Sequence, residues 1–128
     1  MSTLDTLLSI DNSKLSVENE KISIIRLSKM AGEDIVFEIR PLSIKEINSF
    51  PKMDDTDMLI HAIYMALVSP KLSDEKLLKK YDCLTPKELI KKILLPAEIS
   101  ALYSAFNRVM GFAENDKNNE KISEEGLI

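Results

Sequence analysis

The sequence predicts an α+β fold that is predominantly helical: an N-terminal antiparallel β-hairpin followed by about five helices in one compact domain. Two segments typical of strands, 21–27 and 35–40, lie close together near the N-terminus. From Ser43 to Phe112 the apolar residues recur at helical spacing, and prolines at positions 51, 70, 86 and 96 divide this region. A chain of 128 residues suits one such domain.

The hairpin is expected to span residues 21–40. The segment 21–27 is rich in β-branched isoleucine, and Ile35, Phe37 and Ile39 occupy alternate positions, which is the period of a strand with one buried face. Gly32 lies between the two segments, which predicts an antiparallel pair joined by a longer loop. Pro41 has no amide hydrogen for a strand ladder, so it should end the second strand.

Capping residues predict where the first two helices after the hairpin begin, within the helical region 43–112. Ser43 and Glu46 have the spacing of a capping box, and this helix should end before Pro51. Three aspartates open the next helix, which is apolar on most faces over 55–68 and should therefore be the central helix. Pro70 is expected to end it.

The remaining helices also begin at recognisable residues. Ser73 should cap a short helix that runs to about residue 80. Thr85 is the cap of the next, with Pro86 at the first helical position and Glu88 completing a capping box. Pro96 starts the last helix. Gly111 suits the left-handed position that ends it, and Phe112 is expected to fold back on Phe106.

The two ends of the chain carry its acidity. Residues 1–20 contain one lysine and four acidic residues, and residues 114–128 contain two lysines and five acidic residues, so each end has a net charge of −3. Because the whole chain has a net charge of −4, residues 21–113 have a net charge of +2. We therefore expect a flexible arm (1–20), a single folded domain (21–113) and a polar tail (114–128).

Enzymatic chemistry is not expected. The chain has one histidine, His61, and one cysteine, Cys83, which excludes an internal disulfide and a multi-cysteine metal site. Neither residue has a sequence context that supplies a catalytic partner. The three glycines form no phosphate-binding loop. We expect no metal, nucleotide or other cofactor, no membrane span and no signal peptide, and hence a cytoplasmic protein.

Two regions are candidates for binding other molecules. Ser2 and Asp5 have the spacing of a capping box, which predicts one or two helical turns on the arm. Leu4, Leu7 and Leu8 form an apolar set there, separated from the domain by a polar segment, which suits docking onto another protein. In the last helix the apolar stripe is more typical of core, but it supplies further candidate contacts: Tyr103, Met110 and, directly after it, Phe112. A lysine-rich region, 71–92, leaves a DNA-binding regulator as an alternative, although 86–95 offers no Arg, Asn or Gln to read bases.

An ordered series of short segments resembles a known family. It comprises Phe-Glu-Ile-Arg-Pro-Leu at 37–42, Leu-Val-Ser-Pro-Lys-Leu at 67–72, Leu-Thr-Pro-Lys-Glu-Leu-Ile at 84–90 and Leu-Leu-Pro-Ala-Glu-Ile at 94–99, ending with Gly-Phe at 111–112. This series resembles the XkdN-like tail assembly chaperones of phages and phage-like elements of Gram-positive bacteria. The resemblance covers about residues 20–112.

The resemblance implies a non-enzymatic role in building phage tails. It implies a chaperone that binds the tape-measure protein, tail-tube components or both, and keeps them soluble during assembly in the bacterial host cytoplasm. The resemblance also implies absence from the mature particle, and a long frameshifted form as a candidate partner. Since self-association is one way for a chaperone to cover its apolar surface when idle, a homo-oligomer is a further candidate. A structural tail component that stays in the particle is the other alternative. Neither nucleic acid nor membrane is an expected partner.

Overall fold

A computed structural model describes residues 2–112 of the chain. Residue 113 and the predicted polar tail, 114–128, lie outside the described residues. The described part contains seven α-helices, a short 3-10 turn and a three-stranded antiparallel sheet near the N-terminus, which confirms the predicted fold class. The helices are α1 (Thr3–Leu8), α2 (Ile25–Ala31), α3 (Ile44–Asn48), α4 (Asp55–Ala66), α5 (Glu75–Lys80), α6 (Pro86–Ile93) and α7 (Pro96–Met110).

The sheet has the order β1 (Glu20–Ser23), β2 (Val36–Ile39), β3 (Leu67–Ser69), with β2 in the centre. In the first pair Glu20 lies opposite Ile39 and Ser23 opposite Val36, so the predicted antiparallel pairing is confirmed. The predicted alternation in β2 is also confirmed, because Phe37 and Ile39 are fully buried while their neighbours are half-buried. Glu20, assigned above to the arm, is the first residue of β1.

The first strand is shorter than predicted. The segment 21–27 was expected to be extended throughout, but β1 ends at Ser23, and Ile25 begins α2, which lies between the paired strands where a loop was expected. The Ser28 hydroxyl donates to the carbonyl of Ile24 and accepts from the amide of Ile35, so α2 is fastened to the residue that precedes β2. These contacts override the β-propensity of the isoleucines. Gly32 ends α2 in the left-handed conformation, with φ of 76°.

The third strand was not predicted. Helix α4 was expected to run to residue 68, but it ends at Ala66, and Leu67–Ser69 pairs with β2 through an irregular register. The backbone groups of this segment thereby complete an edge of the sheet instead of another helical turn. Pro70 follows β3 and so does not end the helix itself.

The core forms two clusters on either side of α4, which confirms that α4 is the central helix. Ile60 and Ile63 point into a larger cluster with Phe37, and Ala62 and Ala66 point into a smaller one. The larger cluster has these buried members: Ile24, Phe37, Ile60, Ile63, Leu72, Leu89, Ile90, Leu94 and Leu102. The smaller has these: Ile39, Leu42, Ala62, Ala66, Ala105, Phe106 and Val109. Neither cluster includes a residue before Ile22.

Most of the predicted helix starts are confirmed. Ser43 and Glu46 form the expected capping box at α3, and Thr85 caps α6 with Pro86 at the first position. The Glu88 carboxylate accepts from the amide of Leu84 instead of that of Thr85, so the box at α6 is displaced by one residue. The predicted cap of α5, Ser73, is wrong: Asp74 caps this helix, because its carboxylate lies 3.1 Å from the amide of Leu77.

Candidate protein-binding surfaces

The first candidate surface is α1, a helix to which the structure gives hydrogen bonds only within its own segment of the chain. The Ser2 hydroxyl accepts from the amide of Asp5 at 3.1 Å, and the Asp5 carboxylate accepts from the amide of Ser2 at 3.4 Å. This capping box, predicted from the sequence, satisfies amide groups that have no partner within the helix. It positions the side chains of Leu4, Leu7 and Leu8 on one face, at the i, i+3, i+4 spacing of neighbouring residues on a helix.

The three leucines of α1 are exposed: 66% for Leu4, 61% for Leu7 and 75% for Leu8. Every hydrogen bond that the structure gives to residues 2–18 joins two residues of that same segment. A solvated helix of six residues is marginal in water, and nothing in its own fold explains an apolar face. The three leucines therefore stay candidate contact residues.

The three candidate residues on α7 and directly after it differ in their exposure. Tyr103 is half-buried and stacks on Phe106 with ring centroids 5.9 Å apart. Met110 is also half-buried, and its sulfur lies 3.1 Å from the amide of Leu42. Gly111 ends α7 in the left-handed conformation, as predicted, but Phe112 is 71% exposed, so folding back toward Phe106 does not bury it. Of the three, Phe112 offers the most area to a partner.

Sequence reasoning missed a groove beside α2, which we call the α2 groove. It has a volume of about 460 Å³ and is lined by α2, β2, the segment after β3, α5 and the end of α6. Its main apolar lining residues are Leu27, Met30, Phe37, Leu72, Leu77 and Ile93. The sequence did not reveal this groove because the segment 21–27 has the composition of a strand. Read as a helix, the same residues place Leu27 and Met30 on one face.

An ion pair fixes the wall of the α2 groove. Arg26 of α2 donates to both carboxylate oxygens of Glu98, at 3.0 and 2.8 Å, and to the carbonyl of Ile93 at 2.7 Å. Glu98 also accepts from the amide of Leu95 at the start of α7. The hydrogen bonds from Arg26 lower the pKa of Glu98, so the pair stays ionised over the neutral range. Helix α2 is thereby tied to the junction of α6 and α7.

All three arginines of the chain are engaged with glutamates in this way. Arg40 donates to both carboxylate oxygens of Glu46, at 3.1 and 2.7 Å, and this lowers the pKa of Glu46 to about 2. Arg108 donates to both oxygens of Glu20, which joins α7 to β1. Since arginine is the residue that most often reads guanine, and each of these side chains already binds a carboxylate, the arginines are not poised to read DNA.

The lysine-rich region, 71–92, forms an exposed surface on and around α5 and α6. Lys76, Lys79 and Lys80 are exposed on α5. Lys92 lines the α2 groove and donates to the carbonyl of Tyr81, whereas Lys91 pairs with Asp57 at 3.3 Å. With seven lysines and four acidic residues, the region has a net charge of +3. Its charge therefore has the opposite sign to that of residues 1–20.

The histidine and the cysteine lie in apolar surroundings. His61 meets the ring of Phe50 edge-on at 4.5 Å, and its Nδ1 has no hydrogen-bond partner among residues 2–112. Burial, with a smaller contribution from the charge of Lys87, lowers the pKa of His61. Cys83 is half-buried and its thiol donates to the carbonyl of Tyr81. Within the described chain no cluster of three His, Cys, Asp or Glu residues is arranged for a metal ion.

These features define an α+β protein whose exposed apolar surfaces suit binding to other proteins. Over the described residues, no helix has both the length and the apolar character needed to cross a membrane. Residues 4–125 match the family described as phage XkdN-like tail assembly chaperone proteins. Because the match extends over nearly the whole sequence, the chain belongs to this family, and the resemblance stated above is confirmed.

The fold also resembles a solved structure. The crystal structure of the protein YqbN superposes with a TM-score of 0.60 at 16% sequence identity, and the match covers 80% of this chain and 98% of that one. At this identity the likeness concerns the fold alone. No curated protein matches the chain.

Proposed function

We propose that this protein binds the tape-measure protein, tail-tube components or both, and keeps them soluble during tail assembly in the host cytoplasm without any catalytic step. The observation that carries the proposal is the exposed apolar face of α1 in a member of a tail assembly chaperone family. A chaperone of this kind needs apolar area that contacts an unassembled client, and it needs no reactive group.

The proposed client contacts are the six residues predicted from the sequence. Leu4, Leu7, Leu8 and Phe112 are exposed and offer most of the area. Tyr103 and Met110 are half-buried and would contribute the surface that they leave exposed. Helix-in-groove and surface-patch recognition both use anchors three and four residues apart, which is the spacing of the leucines on α1.

The carboxylate contacts of the three arginines support protein binding over DNA binding. A regulator that reads duplex DNA needs arginine or amide side chains directed at base edges, and here Arg26, Arg40 and Arg108 each hold a glutamate. The exposed lysines remain available for a weaker electrostatic contact. We further propose that the protein leaves the assembly before the mature particle forms.

Co-expression with the tape-measure protein tests the proposal. The expected result is that the tape-measure protein moves into the soluble fraction and is captured with this chain. Replacing Leu4, Leu7 and Leu8 together by serine should reduce both the soluble fraction of the tape-measure protein and the amount of it that is captured. The matched control replaces Leu15 and Val17, which are also exposed, by serine. An insoluble and uncaptured tape-measure protein, in the presence of a folded chain, would contradict the proposal.

Two further measurements separate the alternatives. Steeply salt-dependent binding to duplex DNA, without capture of the tape-measure protein, would favour a DNA-binding regulator. Mass spectrometry of purified particles should find none of this chain, and a stoichiometric amount in the particle would favour a structural tail component.

A further inference from the structure

We infer that the protein without its client self-associates, with α1 of one copy docked in the α2 groove of a second copy. This inference concerns the free protein and does not depend on the identity of a client. It joins two apolar features of the described chain that its own fold leaves unexplained: the exposed face of α1 and the α2 groove.

The shape of the helix matches what such a groove accepts. Grooves that take an amphipathic helix hold side chains at i, i+3 and i+4, and Leu4, Leu7 and Leu8 have this spacing. The groove volume, about 460 Å³, lies within the range of pockets that bind a few apolar groups. Met30 lines the groove and is 74% exposed, so an incoming leucine would cover a side chain that water now surrounds.

Charge favours α1 over other apolar segments as the occupant. Without Glu20, which Arg108 holds in β1, the arm (1–19) carries a net charge of −2. The lysine-rich region that includes parts of the groove carries +3. Leu77 of α5 and Tyr81, directly after it, line the groove, and α5 exposes Lys76, Lys79 and Lys80. Complementary charges of this kind orient the partners and increase their rate of association.

The direction of the chain favours a second copy over the same copy. Glu20, where the arm joins the sheet, pairs with Ile39 and is held by Arg108 of α7. The groove-lining Phe37 pairs with Ile22, farther along β1. The arm therefore leaves β1 at the end away from the groove, and docking within one copy would require the segment 9–19 to reverse along the sheet. The arm of a second copy can approach the groove from solvent.

Sedimentation of the full chain without any client, over a concentration series, tests the inference. The wild-type chain should associate, and the association should weaken as salt is raised. Replacing Leu4, Leu7 and Leu8 by serine should raise the dissociation constant by about tenfold or more for each leucine that the groove buries. Met30→Glu should have a similar effect, because it adds a negative charge where the acidic arm docks.

Matched controls use exposed apolar residues outside both surfaces. The pair Leu15→Ser with Val17→Ser is the control for the arm, and Ile44→Glu on α3 is the control for Met30→Glu. Both should associate like the wild type. Circular dichroism should show the same fold for all variants, because every substituted side chain is exposed.

Mixing the two defective variants distinguishes a second copy from the same copy. The leucine variant retains an intact groove, and Met30→Glu retains an intact arm, so an equimolar mixture should form a heterodimer that neither variant forms alone. A mixture that stays monomeric would overturn docking between copies. So would a wild-type chain that is monomeric at every concentration, or an association that the controls weaken equally. None of these outcomes depends on whether the tape-measure protein is the client.

Discussion

Helices α1 and α6 begin with nearly the same capping residues but lie in opposite environments: the apolar face of α1 is exposed, and that of α6 is part of the core. Ser2 caps α1 and Thr85 caps α6, each by accepting from the amide three residues later, and each helix carries leucine in its first turns. Yet Leu89 and Ile90 of α6 have no exposed surface, whereas all three leucines of α1 are exposed. Capping residues and the spacing of apolar residues therefore favour a helix, but they do not decide what its apolar face contacts.

Amide hydrogen exchange should show the largest difference between the two helices. At a concentration too low for self-association, amides in α1 should exchange as a marginal helix does, and those at the centre of α6 should exchange close to the rate of global unfolding. Protection should differ by at least about a thousandfold. Mass spectrometry of peptides from each helix measures this difference in protection. Equal protection in dilute solution would show that α1 is as stable as α6.

Truncating one leucine in each helix should give the next largest effect. Leu89→Ala leaves a cavity in the larger core cluster and should lower the free energy of unfolding by about 2–5 kcal/mol. Leu7→Ala removes an exposed side chain, so the change should stay within about 0.5 kcal/mol. Urea denaturation of both variants gives the two values. A large loss for Leu7→Ala would mean that α1 packs against its own domain.

Removing the caps should give a smaller difference. Thr85→Ala should cost about 1 kcal/mol, because the amide of Glu88 loses its acceptor in a helix that is part of the core. Ser2→Ala should leave the unfolding midpoint unchanged and reduce only the helical signal of the N-terminus. Thr85→Ser, which keeps the hydroxyl, is the control. An unchanged midpoint for Thr85→Ala would show that packing alone holds α6.

The docking of α6 also predicts a small pH effect. The pKa of His61 is lowered by burial and, to a lesser extent, by Lys87 of α6, so the folded state resists protonation of His61 more than the unfolded state does. Stability should therefore be complete above the ordinary histidine pKa of 6.5 and should fall as the pH drops below it. Urea midpoints at pH 7.5 and pH 5.5 measure the loss, which His61→Gln should abolish.

The choice of pH range isolates His61. The carboxylates with lowered pKa values, Glu46 and Glu98, have an ordinary pKa of 4.5, so their contribution falls only below that pH. A wild-type midpoint that is equal at pH 7.5 and 5.5 would contradict the assigned environment of His61.

Several helix ends were predictable because each depends on a few neighbouring residues. The capping boxes at Ser2 and Ser43, the cap at Thr85 and the left-handed Gly111 follow from short-range backbone geometry, and the structure confirms them. The exposed leucines of α1 were predictable for the same reason, since a polar segment separates them from the rest. Of the proposed contacts, these residues were the ones most readily found from sequence.

Other features depend on partners that are distant in the chain. Ile25 begins a helix instead of continuing a strand because Ser28 is hydrogen-bonded to Ile35, the residue before β2, and Arg26 binds Glu98, which lies 72 residues away. Leu67 leaves α4 because β2 offers an edge with unpaired backbone groups. The α2 groove exists only after these two outcomes are fixed. The local spacing of Leu27 and Met30 indicates a shared face only once 25–31 is known to be helical.

The sequence by itself determined the fold class, the paired strands β1 and β2, the central helix α4 and an apolar helix at the N-terminus. These follow from the period of apolar residues and from caps, which act within one or two turns or along one strand. Only the tertiary structure decided that α2 is helical, that β3 completes the sheet and that a groove lies beside α2. Each of these is chosen by the free energy of packing between distant elements, which exceeds the weak preferences of the local backbone.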